Sequence, residues 1–174
     1  MEMGSMDTNK LKISEVIRAE TIDLDLKGVE NKNQAIDYLA GLLNKAGLLV
    51  DKETYIKSVY ERELMGPTYM EHFIAIPHGK SAGVKEAGIA FGRSKEGFQY
   101  QTSLGGGLAK LVFLLAIPDR MSGDAYMAVL ARLARLLVHE DFRNNLYLAE
   151  NYQDVLNAFV DGERLLEDLA GSNS

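Results

Sequence analysis

The sequence predicts an α/β fold, a single domain in which helices cover both faces of a mixed β-sheet. Three observations carry this. "TIDLDLK" at 21–27 alternates apolar and polar side chains, the period of a half-buried strand. Residues 31–46 change period, with Ala35, Leu39, Leu42, Leu43 and Ala46 on one helical face. "LVFLLAIP" at 111–118 is a continuous apolar run of strand length, too short to cross a bilayer. Intermixed helices and strands around one core define the class.

The elements follow in order. "KISEVIRA" at 12–19 reads as a short helix ahead of the strand at 21–27. The helix over 31–46 opens on a capping-box pattern, Asn31 with Gln34, and stops at Gly47. A second helix starts at Asp51 and runs to about Leu64, with Tyr55 and Val59 inward and Arg62 and Glu63 near its end. "GPTYMEH" at 66–72 reads as a loop. Strands are expected at 73–76, 87–92 and 110–117. The last two are separated by "SKEGFQYQTSLGGG", a hairpin or irregular crossing. Asp124 is a candidate cap for a helix over 125–138 with Met127, Leu130, Ala134 and Leu137 inward. Two further helices fit 140–149 and 152–169, the second broken near Asp161-Gly162. Residues 1–10 are expected to be a disordered N-terminus or a cloning remnant, residues 11–170 the folded domain, and 171–174 a frayed tail.

Composition narrows the function. With 174 residues and 47% hydrophobic side chains, the chain can bury a substantial core. It has no cysteine, which excludes disulfides, zinc–thiolate sites and thiol catalysis, and fits a reducing cytoplasm. A net charge of −6 argues against nucleic acid as a partner. The N-terminus has no apolar signal core, and no segment predicts direct membrane insertion.

"FIAIPHGK" at 73–80 carries the chemical signal. The chain has three histidines, and one follows a strand that Pro77 is expected to end, because proline has no N–H for the ladder. His78 is then presented at a sheet end, where ligand sites of α/β sheets gather. Gly79 lets the backbone approach a bulky group. Neutral imidazole is a competent nucleophile near pH 7, with one ring nitrogen attacking while the other fixes the tautomer. The ordinary alternative is a surface or hydrogen-bonded core histidine. Metal binding is weaker, since His72 and His78 are six apart with no His-Glu-x-x-His helix. No Gly-x-Ser-x-Gly turn supports triad hydrolysis, and Gly105, Gly106 and Gly107 lack the Gly-Lys-Ser/Thr that would complete a phosphate loop. No cofactor is called for.

"IAIPHGK" at 74–80 resembles the active-site segment of the fructose/mannitol-type (type 2) EIIA domains of the bacterial phosphoenolpyruvate:sugar phosphotransferase system. "YERE" at 60–63 resembles the helix end carrying that family's Arg-Glu pair. "LAKLVFLLAIP" at 108–118 resembles its late core strand, and "LARLARLLVHEDFRNNL" at 130–146 its following helix-turn-helix. The likeness spans roughly residues 11–170.

The resemblance implies a phosphocarrier. Such domains accept a phosphoryl group from phosphohistidine on HPr and pass it to a cysteine of EIIB, which serves the membrane permease EIIC. By carry-over, His78 is the phosphorylated nucleophile. Arg62 would stabilise the phosphoryl oxygens through a forked, charged contact; on its own it reads rather as a solvated helix-end cation, and the family spacing reverses that. Glu63 either orients Arg62 or is exposed. Lys80 adds positive potential or is merely exposed. Thr68 bonds the phosphate or imidazole, or only shapes the turn. For this reading to hold, the ring must reach solvent and Arg62 must lie on its side of the molecule.

Two departures stand out. Many members carry a second histidine at the start of the helix after the late strand; here Tyr126 occupies that place. A tyrosine hydroxyl can donate a hydrogen bond but stays uncharged. The loop at 67–73 is bulkier than the family's glycine-rich pattern and brings His72 close in sequence to His78, while Tyr69, Met70 and Phe73 are candidates for an apolar partner patch. The alternative function is a regulatory EIIA-like module whose phosphorylation is read by a protein partner.

Overall fold

The structure is a computed structural model, and it describes residues 11–172. The expectations for 1–10 and 173–174 lie outside the described residues. The chain forms two units, one from Arg18 to Arg120 and one from the segments up to Ile17 and from Met121 onward.

The first unit is built on a six-stranded mixed sheet. Its strands are β1 (Ile17–Asp23), β2 (Tyr69–Met70), β3 (Ile74–Ala75), β4 (His78–Ser81), β5 (Gly88–Tyr100) and β6 (Gly107–Pro118). The order is β1-β5-β6-β3-β2, and β4 also pairs with β6. β5 runs antiparallel to β6, whereas β3 and β4 run parallel to it. Leu111 to Ile117 of β6 are all buried, which is why the strand reads as one apolar run rather than an alternation.

Two helices pack on one face of the sheet, α2 (Lys32–Lys45) and α3 (Lys52–Met65). Ile36, Leu39, Leu43, Tyr55 and Val59 meet Val112, Leu114 and Ala116 there. α2 is capped as expected: the Asn31 side chain accepts from Gln34 N at 2.9 Å, and Gly47 ends the helix at a φ of 81°. In the return bond, Gln34 Oε1 accepts from the N–H of Glu30, not of Asn31, at 2.7 Å. Asp51 caps α3 through the N–H groups of Glu53 and Thr54.

The second unit is helical. It contains α1 (Ile13–Val16), α4 (Gly123–Leu137), α5 (Glu140–Leu148) and α6 (Tyr152–Ser172). Glu163 of α6 accepts from the N–H groups of Ile13 and Ser14, tying α1 to α6. Among the described residues, no helix is long and apolar enough to cross a membrane.

Several local expectations are corrected. The helix at 12–19 shrinks to α1, and the strand expected at 21–27 lies at 17–23, because Leu26 N bonds Arg93 O beyond the strand's end. The strand expected at 87–92 runs on to Tyr100 through a register shift between Arg93 and Phe98. Residues 66–72 are not all loop, since Tyr69 and Met70 pair with Ala75 and Ile74. Ser122, not Asp124, caps α4. The inward face of α4 is Ala125, Val129, Leu133, Leu136 and Leu137; of the four residues expected inward, only Leu137 is fully buried, and Met127 is 60% exposed. α6 continues through Asp161-Gly162, where a Cβ on Gly162 would stand 2.7 Å from Leu136 Cδ2. That glycine permits close helix packing rather than breaking the helix.

Candidate functional site

His78 opens β4, and its position depends on an interruption of a single line of strand. Ala75 pairs with Val112 and His78 with Leu115, so the register against β6 is the same on both sides of Ile76-Pro77. Pro77 lacks an N–H, yet its carbonyl still accepts from Leu115 N at 3.0 Å. The ladder therefore resumes, and His78 does not sit past the end of the sheet as the sequence predicts. Ile76 faces the β2 side, one step beyond the Tyr69–Ala75 pair, while Pro77 faces β6. The Ile76 N–H donates to Thr68 O at 3.0 Å, and its carbonyl is left to accept from the His78 ring.

That last contact sets the chemistry of the imidazole. Nδ1 lies 2.7 Å from Ile76 O. A carbonyl can only accept, so Nδ1 carries the proton, and in the neutral ring the lone pair is on Nε2. The residue is only 3% exposed, far less than a ring presented at a sheet end would be. Its pKa is lowered from the ordinary 6.5, chiefly by burial, with the Ile76 bond opposing and the positive charge of Arg62 adding to the effect. The ring is therefore held neutral at pH 7, and Arg62 acts on it electrostatically.

Gly79 explains how the strand meets α3. A Cβ there would stand 2.3 Å from Ser58 Oγ and 3.1 Å from Val59 N. Its service is close packing of strand on helix. Tyr55 of α3 adds a second tie, donating from its hydroxyl to Leu115 O at 2.7 Å, on the residue in register with His78. Lys80 is exposed and shares the strand face of His78, two residues on.

The end of α3 supplies the charged groups. Arg62 is half-buried, and its Nη1 donates to Gly66 O at 2.9 Å. Glu63 is neither exposed nor bonded to Arg62 in this arrangement: it is 8% exposed, and its Oε2 accepts from the Thr68 hydroxyl. Tyr100 OH lies 3.0 Å from Thr68 Oγ1. Since Thr68 has one proton and gives it to Glu63, Tyr100 donates to Thr68. Burial and the charge of Glu63 raise the Tyr100 pKa, so that hydroxyl keeps its proton. Lys32 completes the group, with Nζ 3.7 Å from Glu63 Oε1 and 5.8 Å from the centre of the Tyr100 ring. Sequence reasoning missed Lys32, Tyr100 and the Ile76 carbonyl. The first two are distant in sequence from His78, and the third is main chain, so no motif marks them.

His72 belongs to the turn between β2 and β3, where it and Phe73 adopt φ of 66° and 63°. Such values are uncommon for residues with a Cβ. The His72 side chain is half exposed, with Nε2 3.9 Å from Glu71. Tyr126 stands half-buried in the first turn of α4, in the helical unit, its N–H donating to Ser122 O. Among the described residues, no cluster of three or more His, Cys, Asp or Glu could hold a metal ion.

An imidazole whose Nδ1 meets a main-chain carbonyl opens a strand parallel to a buried central one, in an α/β domain with a mixed sheet. Solved structures share the fold. The nitrogen regulatory protein IIA-Ntr of Neisseria meningitidis has a TM-score of 0.70 at 26% identity, covering 84% of this chain and 98% of that one. The mannitol enzyme IIA of Escherichia coli, solved in complex with phosphorylated enzyme IIB, has a TM-score of 0.68 at 25% identity, covering 84% and 99%.

Residues 15–161 match the family described as phosphoenolpyruvate-dependent sugar phosphotransferase system, EIIA 2. The chain belongs to this family of phosphotransfer components. It is 38% identical over 146 residues to the fructose-specific EIIABC component of Bacillus subtilis, covering 84% of this chain and 22% of that protein. It is 34% identical over 143 residues to the fructose-specific EIIA component of Haloferax volcanii, covering 82% and 91%. A nitrogen regulatory protein of Bradyrhizobium diazoefficiens is 31% identical over 147 residues, covering 83% and 92%. The chain spans about a fifth of the EIIABC relatives it matches.

Proposed function

We propose that the protein is a phosphocarrier in which His78 accepts a phosphoryl group from phosphohistidine of HPr and passes it to a cysteine of an EIIB component. The carrying observation is the Nδ1–Ile76 bond, which leaves the lone pair of a neutral imidazole on Nε2. In the step, Nε2 attacks phosphorus, a new N–P bond forms, and the N–P bond to the donor imidazole breaks with its electron pair returning to the donor. Phosphoryl transfer is mainly positioning and charge stabilisation. Arg62 supplies the charge, and Lys80 adds positive potential on the same strand face. At 3% exposure the ring does not meet the solvent access this reading requires, so transfer requires the surrounding side chains to open a path to Nε2.

Fructose or a related sugar is the transported substrate this reading favours, supported by the names of the Bacillus and Haloferax relatives. EIIB would hand the phosphoryl group to sugar entering through an EIIC permease, with this domain on the cytoplasmic side. The likeness to nitrogen regulatory proteins supports a second reading, a module whose phosphorylation state is sensed by a protein partner.

Incubation with enzyme I, HPr and phosphoenolpyruvate tests the proposal. The expected result is one base-stable, acid-labile phosphate that is absent in His78→Ala. No labelling under conditions that label a control EIIA would overturn it. Onward transfer to a fructose-type EIIB separates transport from sensing.

A further inference from the structure

Glu63 is chemically out of place for a packing residue. Its side chain is 4% exposed, and Oε1 has no hydrogen-bond partner among the described residues. Lys32 at 3.7 Å supplies opposite charge but lies beyond hydrogen-bond distance. Buried ion pairs are poor sources of stability, and an apolar side chain would fill this position without the desolvation cost. Unsatisfied buried groups in native proteins call for another reason.

The reason lies in what the other oxygen holds. Oε2 accepts the Thr68 hydroxyl proton. The main-chain carbonyl of Thr68 accepts from Ile76 N at 3.0 Å, and the carbonyl of Ile76 accepts from His78 Nδ1 at 2.7 Å. Two residues before Thr68, the Gly66 carbonyl accepts from Arg62 Nη1 at 2.9 Å. The segment 66–68 thus seats the cation and, through Ile76, the nucleophile. Its buried side-chain anchor is the Thr68–Glu63 bond.

We propose that Glu63 is a positioning residue for phosphoryl transfer: by clamping Thr68 it fixes the loop that seats Arg62 and orients the carbonyl that sets the His78 tautomer. The inference rests on the phosphocarrier reading of His78. Glu63 touches neither the ring nor the phosphoryl group in this scheme. It acts through one hydroxyl and two main-chain bonds, which suits a requirement for sub-ångström placement of reacting groups.

The test reads the His78 ring by ¹⁵N NMR on the full chain, and separately the rate of phosphorylation by phospho-HPr. Thr68→Val deletes the clamp while keeping the shape, and Thr68→Ser retains the hydroxyl. Tyr100→Phe disturbs the same polar cluster without cutting the clamp. Thr68→Val is expected to lose the dominance of the Nδ1–H tautomer and to slow phosphorylation by about tenfold to a hundredfold, with little change in the KM for HPr. Thr68→Ser should restore both readouts, and Tyr100→Phe should move both less than Thr68→Val does. Should Thr68→Val not fold, Glu63→Gln stands in, since it keeps the shape and weakens the acceptor; it is expected to shift both readouts in the same direction. Wild-type tautomer and rate in the clamp variant, or an equal change in Tyr100→Phe, overturn the proposal. If the wild-type chain takes no phosphoryl group, the carrier reading fails, and the tautomer measurement still decides whether the clamp exists.

Discussion

The ring of His78 donates its Nδ1 proton to the main-chain carbonyl of Ile76, two residues earlier, at 2.7 Å. The carbonyl is available because Ile76 faces the β2 side rather than β6, with its N–H engaged by Thr68. The phosphorylated species is therefore expected to carry its phosphate on Nε2. Two-dimensional ¹H–¹⁵N and ³¹P NMR of the phosphoprotein distinguish the two isomers, and an Nδ1 adduct would contradict this geometry.

Burial lowers the His78 pKa below 6.5, and Arg62 lowers it further. A lowered value in the folded chain means that the unfolded chain binds the proton more tightly. His78 therefore contributes stability that is complete above about pH 6.5 and is lost as pH falls through the depressed folded value. Denaturant titrations across this window should show that His78→Gln flattens the decline in stability relative to wild type. Arg62→Met should raise the His78 pKa, read by NMR titration. The acid limb of phosphorylation should lie below pH 6.5 in the wild-type protein and move upward in that variant.

Gly79→Ala is expected to destabilise the protein by about 1–3 kcal/mol, the range for overpacking a tight contact. The added Cβ would meet Ser58 Oγ at 2.3 Å and Val59 N at 3.1 Å. Adding Ser58→Ala should recover part of the loss, not all, because the Val59 main chain remains. Urea unfolding of the single and double variants checks the ordering.

Leu64 and Met65 follow Arg62 and Glu63 at the end of α3 and are 87% and 82% exposed. Large apolar side chains beside a transfer site suit a transient partner surface. Met65→Glu should slow phosphoryl transfer from HPr while leaving the melting temperature within a degree or two of wild type, since an exposed substitution costs about 0.5 kcal/mol or less. Met70, half-buried in β2, is expected to show a smaller kinetic effect together with some loss of stability. Equal rates for Met65→Glu and wild type would remove the end of α3 from the docking surface.

Periodicity and punctuation in the chain were sufficient for the class and most elements. Ala35, Leu39 and Leu43 repeat at helical spacing, Asn31 and Asp51 offer caps, and the apolar run at 111–118 admits only a buried strand. Those signals are local, and local sterics and capping bonds enforce them wherever the segment lies. The motif at 74–80 likewise marked His78, and its spacing from 60–63 marked Arg62. Neither the exposure of the ring nor its tautomer could be read that way. Pro77 looked like a stop, yet the partner strand β6 carries the register past it. Glu63 read either as a partner of Arg62 or as an exposed helix-end residue, yet Thr68, Tyr100 and Lys32 converge on it from a loop, a strand and another helix. Met127 fitted an inward face that packing placed elsewhere. Burial and hydrogen-bond partners depend on which distant segments the chain brings together, so only the tertiary structure decides them.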